Sequence, residues 1–457
     1  MQKKAPTKYS TANRVRSLLQ DPPGPLLLRM ASPNAFAFLL QAAVSMAEVW
    51  FISQLGVQAL ASIALVFPLL MLMQMLSVGA MGGAVASAIA RALGADKLEK
   101  AEKLIWHALL IAVTAGGLFF LLNAWVGRDL LVLLGGSGAV LNAAEQYLGV
   151  LFAGCGAIWL TAILSSLYRG MGDMKLPALV MIISAALQII VSGMLVLGWF
   201  GAPQMGIAGV AISVIGVSVL ASLGLAMHLA SGRALIRLKR KAWHIRSSLF
   251  WEILKVGSVS SLSPFLTVAT VLGLTSIIAR YGDAALAGYG IGSRLEFLLV
   301  PLVFGIGAAM TTMVGVNVGA GQIDRAERIG WTGGLAAATL AGSIGIVLAL
   351  FPGLWLNLFT NDQAIYAAGA GYLSIVAPVF AFQGFGVTIY FASQGAAHVM
   401  WPIIATLLRL IIAVGGGAYA YSTMASLDTL YIYISVSIVC FGLLTGTALK
   451  LGAWRRA

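Results

Sequence analysis

At 457 residues, 60% hydrophobic and 9% charged, with a mean hydropathy of +0.95, the chain is far more apolar than a water-soluble core requires, so lipid is its main solvent. Its 53 glycines let membrane helices approach closely, which excludes a single-span receptor and argues for a packed bundle. The net charge of +13 does not imply nucleic acid, because the basic residues fall in short segments between apolar runs without aromatic interleaving, and Cys155 and Cys440 lie inside apolar runs where they make neither a disulfide framework nor a metal site.

In chain order, residues 1–32 form an N-terminal tail, of which Met1 through Gly24 is polar and basic with no cleavable apolar core. Lys3, Lys4, Lys8, Arg14 and Arg16 are expected to hold it on the cytoplasmic face, against anionic membrane lipid. A spanning helix needs about 20 apolar residues. Twelve such segments follow, spans 1 to 12, near 33–53, 61–89, 104–126, 146–168, 177–199, 206–230, 252–279, 286–316, 329–356, 371–393, 401–421 and 429–449. The fold class is therefore an all-α integral membrane protein: an N-lobe over 33–230 (spans 1 to 6), a basic cytoplasmic linker over 231–251, a C-lobe over 252–449 (spans 7 to 12) and a cytoplasmic C-terminal tail over 450–457.

Positive charge sets the orientation. With the N-terminus inside, the cytoplasmic turns hold Arg91, Lys97, Lys100, Lys103, Arg169, Lys175, Arg233, Arg237, Lys239, Arg240, Lys241, Arg246, Arg325 and Arg328, joined by Lys450, Arg455 and Arg456, whereas the opposite turns hold Arg128 and Arg280. Both termini are expected in the cytoplasm.

The two lobes repeat one another. Leu55-Gly56 through Ala59-Leu60-Ala61 pairs with Tyr281-Gly282 through Ala285-Leu286-Ala287, and the segment from Gly94 to Leu104 pairs with that from Gly319 to Ile329. Tyr147-Leu148, Gly170 and Pro177 likewise pair with Tyr372-Leu373, Gly395 and Pro402. Six spans per unit leave both units in the same orientation, which predicts pseudo-two-fold symmetry about the membrane normal and a transport site at the repeat interface.

Several of these segments together resemble the multidrug and toxic compound extrusion (MATE) family of antiporters. They are Glu48-Val-Trp-Phe-Ile-Ser-Gln-Leu-Gly56 with Ala59-Leu60-Ala61 and Pro68, the Gly-Ala turns at 94–101 and 319–326, and Arg169-Gly170-Met171-Gly172-Asp173 with Pro177. The resemblance implies a V-shaped pair of six-helix lobes that exchanges H⁺ or Na⁺ for amphipathic, often cationic drugs by alternating access. It implies no cofactor beyond the coupling ion, small-molecule drugs or organic cations as partners, a cell inner membrane location and a monomer.

An ionisable group inside a span costs a few kcal/mol, so each is a functional candidate. Glu48 of span 1 and Glu296 of span 8 are the clear intramembrane acids, one per lobe. Gln41, Ser45 and Glu48 recur at spacings of four and three, which places them on one helix face, directed toward the lobe interior. Glu48 is expected to take up the coupling proton or to hold Na⁺. Glu296 shares a face with Tyr289 and Ser293, whereas Arg294 diverges from it. Glu296 is read either as a second coupling or solute site or as a structural ion pair with Arg409 of span 11 or another buried base.

Pro33 opens span 1, where a missing amide hydrogen costs little; the resemblance instead makes it a bending point. At positions where some members carry Asn-x-x-x-Asp in span 5, this chain has Gln188 and Ser192, which with Gln41, Ser45, Thr267, Tyr289, Gln383 and Tyr390 are the candidate solute-cavity residues. Where others place acids in spans 7 and 10, it has hydroxyls and amides, including Ser263, Thr267, Thr270, Gln383, Tyr390 and Gln394. So few carboxylates favour H⁺ over Na⁺, since a proton needs one titratable group and a metal cation needs a shell of oxygen ligands. Met71, Met73, Met75, Phe265, Phe382 and Phe385 are candidate cavity linings, and the four histidines form no metal cluster. A flippase for lipid-linked saccharides and a channel stay open as alternatives. The motifs of a hydrolase or metalloprotease are missing from the sequence, which leaves an enzyme disfavoured.

Overall fold

The structure, a computed structural model, describes residues 8–236 and 245–455 and is helical, with no strand among them. Lys3, Lys4, Arg237, Lys239, Arg240, Lys241 and Arg456, which entered the orientation argument, and His244, one of the four histidines, lie outside the described residues. Among the described residues, eleven helices are long and apolar enough to cross a membrane, or twelve when the pair Gly138–Ala153 and Cys155–Gly170 is counted as one span bent by 52°. Helices satisfy every backbone group within the segment, which hydrocarbon demands.

Four spans depart from the boundaries expected from the sequence, for identifiable reasons. Span 1 begins at Pro23 rather than at residue 33: the prolines open the first turn, and Arg29, which breaks the apolar run, pairs with Asp21 at 3.4 Å. Pro33 is therefore inside the helix Pro23–Ser53 and not at its start. Span 4 breaks at Gly154, where an added Cβ would come within 2.4 Å of the Ile215 side chain of span 6. Span 9 ends at Leu350, just before Pro352, and Gly353–Leu356 forms a separate short turn of helix. Span 10 starts earlier than expected, at Gln363, because Asp362 caps it by accepting from Ala364 N at 2.8 Å and Ile365 N at 3.0 Å.

The helices form two compact units. One comprises the chain through Ser17 together with Phe36–Gly257, the other Leu18–Ala35 together with the chain from Ser258 onward. The division thus crosses span 1 between Ala35 and Phe36, two residues beyond Pro33, whereas the sequence boundary lay at residue 33.

Within each unit the repeat returns as the same contacts. A Cβ on Gly170 would meet Ala86 O of span 2 at 2.7 Å, and one on Gly395 would meet Thr311 O of span 8 at 2.5 Å. Both partners are 225 positions apart (170 to 395, 86 to 311). Gly82 and Gly307 are related in the same way and abut Ser166 and Phe391, themselves a repeat pair. These glycines let the spans approach to backbone contact. The turn after each Gly170-type helix closes with identical bonds, Asp173 N to Tyr168 O at 2.9 Å and His398 N to Ser393 O at 2.9 Å.

The inner ends are tied by charge. In the first unit Glu252 pairs with Lys100 at 2.7 Å and lies 4.0 Å from Arg91. In the second, Arg455 reaches Asp324 and Glu327, whose carboxylates push its pKa above the ordinary arginine value, and Trp454 donates to Ser393 Oγ at 3.2 Å.

Candidate functional site

In the first unit, spans 1, 5 and 6 converge on Glu48. Gln188 and Ser192 lie four residues apart on the helix Lys175–Leu197 and so share a face. Gln188 Nε2 donates to Glu48 Oε1 at 2.6 Å and Ser192 Oγ donates to the same oxygen at 3.2 Å. Ser213, on the helix Ile207–Ala230, completes the cluster: its Oγ accepts from Gln188 Nε2 at 3.2 Å and lies 2.6 Å from Ser192 Oγ. Each hydroxyl has one hydrogen: with that of Ser192 given to Glu48, that of Ser213 is shared between Ser192 Oγ and the backbone Val210 O, the latter at 3.0 Å. The three supporting side chains are buried and Glu48 is half-buried.

Two properties of this carboxyl matter chemically. Among the described residues no basic side chain pairs with it, and its second oxygen, Oε2, accepts no protein hydrogen bond. Tyr147 of span 4 is buried and close enough to feel its charge. Gln41 and Ser45 do not join the cluster: Ser45 Oγ turns back to Gln41 O at 3.3 Å, and Ser45 is exposed. The polar stripe of span 1 therefore reaches the surface of its unit, with Glu48 drawn inward by span 5.

In the second unit, Glu296 and Arg409 form the ion pair that the sequence reading named as one of two outcomes, Nη2 to Oε2 at 3.5 Å. The other carboxylate oxygen accepts a short hydrogen bond from Tyr372 OH of span 10. The Tyr372 ring is fully buried between the edges of Tyr289 and Tyr431, with centroids at 5.4 and 5.3 Å. Tyr289 thus packs beside the site. Arg294 points away, as its two-residue offset requires, and lies over the Phe359 ring at 5.9 Å.

The remaining candidates gather elsewhere in the second unit. Tyr390 OH donates to Ser260 O at 3.2 Å and accepts from Gln394 Nε2 at 3.0 Å. Thr267 Oγ1 is spent on Ser263 O at 2.9 Å, an intrahelical bond. Gln383 Oε1 and Ser260 Oγ are buried without a protein partner among the described residues. None of Thr267, Gln383 or Tyr390 contacts Glu296 through a hydrogen bond.

Comparison with known proteins matches the MatE family model to residues 33–194 and 260–418, one stretch in each repeat. The chain belongs to the MatE family. It is similar to a probable multidrug resistance protein NorM of Thermotoga maritima, 26% identical over 384 residues, covering 84% of this chain and 82% of that one. It is also similar to a FAD transporter of Shewanella oneidensis, 27% identical over 403 residues, covering 86% and 87%. Among solved structures, the outward-facing conformation of a multidrug resistance MATE family transporter superposes with a TM-score of 0.89 at 23% identity over 100% of both chains. A MOP superfamily transporter from Pyrococcus furiosus gives 0.89 at 23% identity, over 96% and 98%. As a MatE member this chain is a multi-pass membrane protein and a secondary transporter rather than an enzyme.

Sequence reasoning missed two members of the MatE chain's polar clusters. Ser213 carried no signal, since one serine in an apolar span is ordinary. Tyr372 did carry one, because the repeat sets Tyr147-Leu148 against Tyr372-Leu373, and each tyrosine lies by the intramembrane acid of its own unit.

Proposed function

We propose that this chain is an H⁺-coupled antiporter that exports amphipathic, often cationic small molecules by alternating access, with Glu48 as the coupling group. The carrying observation is a half-buried carboxyl with one oxygen fixed by Gln188 and Ser192, the other without a protein donor, and no basic partner among the described residues. An ionised carboxylate without a counter-charge is costly in such a setting, so the site calls for a proton or a cation. A proton on Oε2 leaves the Gln188, Ser192 and Ser213 network intact. Na⁺ prefers a shell of oxygens, and the Gln188 amide presents its nitrogen to the site, so a Na⁺ ion would require that amide to turn over.

The names of the multidrug relatives support drug export, and the charge asymmetry of the turns supports an inner membrane location with both termini in the cytoplasm. We take the working unit as a monomer in contact with membrane lipid. Pro33, inside span 1 and two residues before the division between units, is the position we assign to bending.

The test is export of a quaternary-ammonium dye from proteoliposomes under imposed pH and Na⁺ gradients in turn. A pH gradient is expected to drive wild-type transport and Glu48→Gln to abolish the response at normal abundance. Gradient-driven export that survives in Glu48→Gln, or that answers to Na⁺ alone, defeats the assignment. Translocation of a lipid-linked saccharide without dye export would favour the flippase.

A further inference from the structure

Arg409 is held differently from a structural arginine. A good charge-assisted hydrogen bond to a carboxylate runs at about 2.7–2.9 Å and is often a two-point fork. Here a single guanidinium nitrogen approaches Glu296 Oε2 at 3.5 Å, and the short bond to Glu296 comes from Tyr372 instead. The carboxylate is thus anchored by a phenol wedged between two rings, and the guanidinium only leans on it.

The guanidinium also has unused capacity. It carries five N–H donors, and among the described residues it makes no hydrogen bond beyond its approach to Glu296 and lies over the face of Phe441, 6.0 Å from the ring centroid. The Arg409 side chain is 16% exposed and that of Glu296 is 21% exposed, so neither is sealed inside the packed unit. Span 11 changes to π-helix at Ile411–Gly415, two residues beyond Arg409, an irregularity often found at functional positions. Nothing comparable exists at Glu48, whose donors are neutral.

We propose that Arg409 is an anion-accepting subsite: an amphipathic solute bearing a carboxylate or phosphate group docks that group on the guanidinium in place of Glu296, which stays bound to Tyr372. Glu296 acts as a built-in competitor that neutralises Arg409 between solutes. This inference rests on the transporter reading and adds to it a class of solute, zwitterions and organic anions with an apolar body.

The subsite predicts opposite responses from the two partners of the pair. The probes are a fluorescent aromatic carboxylate, its methyl ester, the corresponding phosphate monoester and a quaternary-ammonium dye, measured for binding to the purified full-length protein and for transport in liposomes. Wild type is expected to favour the carboxylate or the phosphate over the ester by about tenfold, one charge-assisted contact, and the stronger of those two arms identifies the group recognised. Arg409→Gln is expected to erase the preference and Arg409→Lys to retain part of it, because a lysine keeps the charge but not the fork. Glu296→Gln is expected to tighten anion binding by a few-fold, as a competitor is removed. The double variant Glu296→Gln/Arg409→Gln, with no buried charge left alone, is expected to fold and to treat acid and ester alike.

Absence of discrimination between acid and ester in wild type overturns the proposal. So does equal weakening of every probe by Arg409→Gln and Glu296→Gln alongside equal loss of thermal stability, which is the behaviour of a purely structural pair. If the quaternary-ammonium dye is still exported in either case, the transporter reading stands and this inference alone falls.

Discussion

The two units repeat the same six-helix plan yet hold their intramembrane acids in opposite ways. Glu48 comes from span 1 and receives neutral donors from Gln188 and Ser192; Glu296 comes from span 8 and receives a phenol and an arginine. The positions are not equivalent in the repeat: 48 pairs with Leu274, and 296 falls opposite Leu70 or Met71, where the offset of the repeat changes from 226 to 225. What is shared is the neighbour, since Tyr147 and Tyr372 are repeat-related and each lies by its own acid. Duplication therefore preserved the packing and the tyrosine, while charge was redistributed. A carboxyl without a counter-ion is suited to exchanging a cation, and one with a counter-ion is suited to staying ionised.

The comparison breaks most sharply if the first unit is given the counter-ion it lacks. Gln188→Lys places an ammonium beside Glu48, and gradient-driven export of a quaternary-ammonium dye is expected to fall by about 100-fold at normal abundance, roughly the effect of losing an essential titrating group. Retained coupling would mean that the absence of a basic partner at Glu48 is incidental.

The shared packing gives the next effect. Gly170→Ala and Gly395→Ala each push a methyl against a backbone carbonyl, at 2.7 and 2.5 Å, and each is expected to destabilise its unit by about 1–3 kcal/mol. Thermal unfolding in detergent reads this, and a loss in only one of the two would deny that the contacts are equivalent.

The tyrosines should separate. Tyr372→Phe removes a hydrogen bond to a charged group and is expected to cost about 1.5–3 kcal/mol, whereas Tyr147→Phe removes no hydrogen bond recorded among the described residues and should change stability by less than about 0.5 kcal/mol. Equal losses would place a bond between Tyr147 and Glu48. Smallest is the turn after the Gly170-type helix: Gly172 has φ +76°, and its counterpart Ala397 is held at +62°. Ala397→Gly is expected to stabilise by about 1 kcal/mol, with Gly172→Ala destabilising by a similar amount. Unchanged unfolding in both would remove strain from the account of that turn.

Much of the architecture was legible because lipid leaves few alternatives. An apolar run near 20 residues has to be a helix, so the number of spans, the repeat and the presence of one acid per half all followed from residue order. Boundaries were less legible where a charge or a cap intervened: Arg29 concealed ten residues of span 1, which also moved Pro33 from the helix start to its interior, and Asp362 extended span 10. The resemblance to a known family pointed to Gln188 and Ser192 as site positions, but as cavity residues; the structure makes them hydrogen-bond donors to Glu48.

Residue order by itself determined the membrane class, the twofold repeat, the helical faces of Glu48 and Glu296, and the divergence of Arg294. Tertiary structure alone decided who meets them: Ser213 across 21 residues from Ser192, Tyr372 across 76 from Glu296, and Arg409 rather than another base. The physical reason is that periodicity fixes which side of a helix a residue occupies, whereas its partner depends on how far neighbouring helices slide and rotate, which is set by glycine contacts such as Gly170 on Ala86 and Gly395 on Thr311.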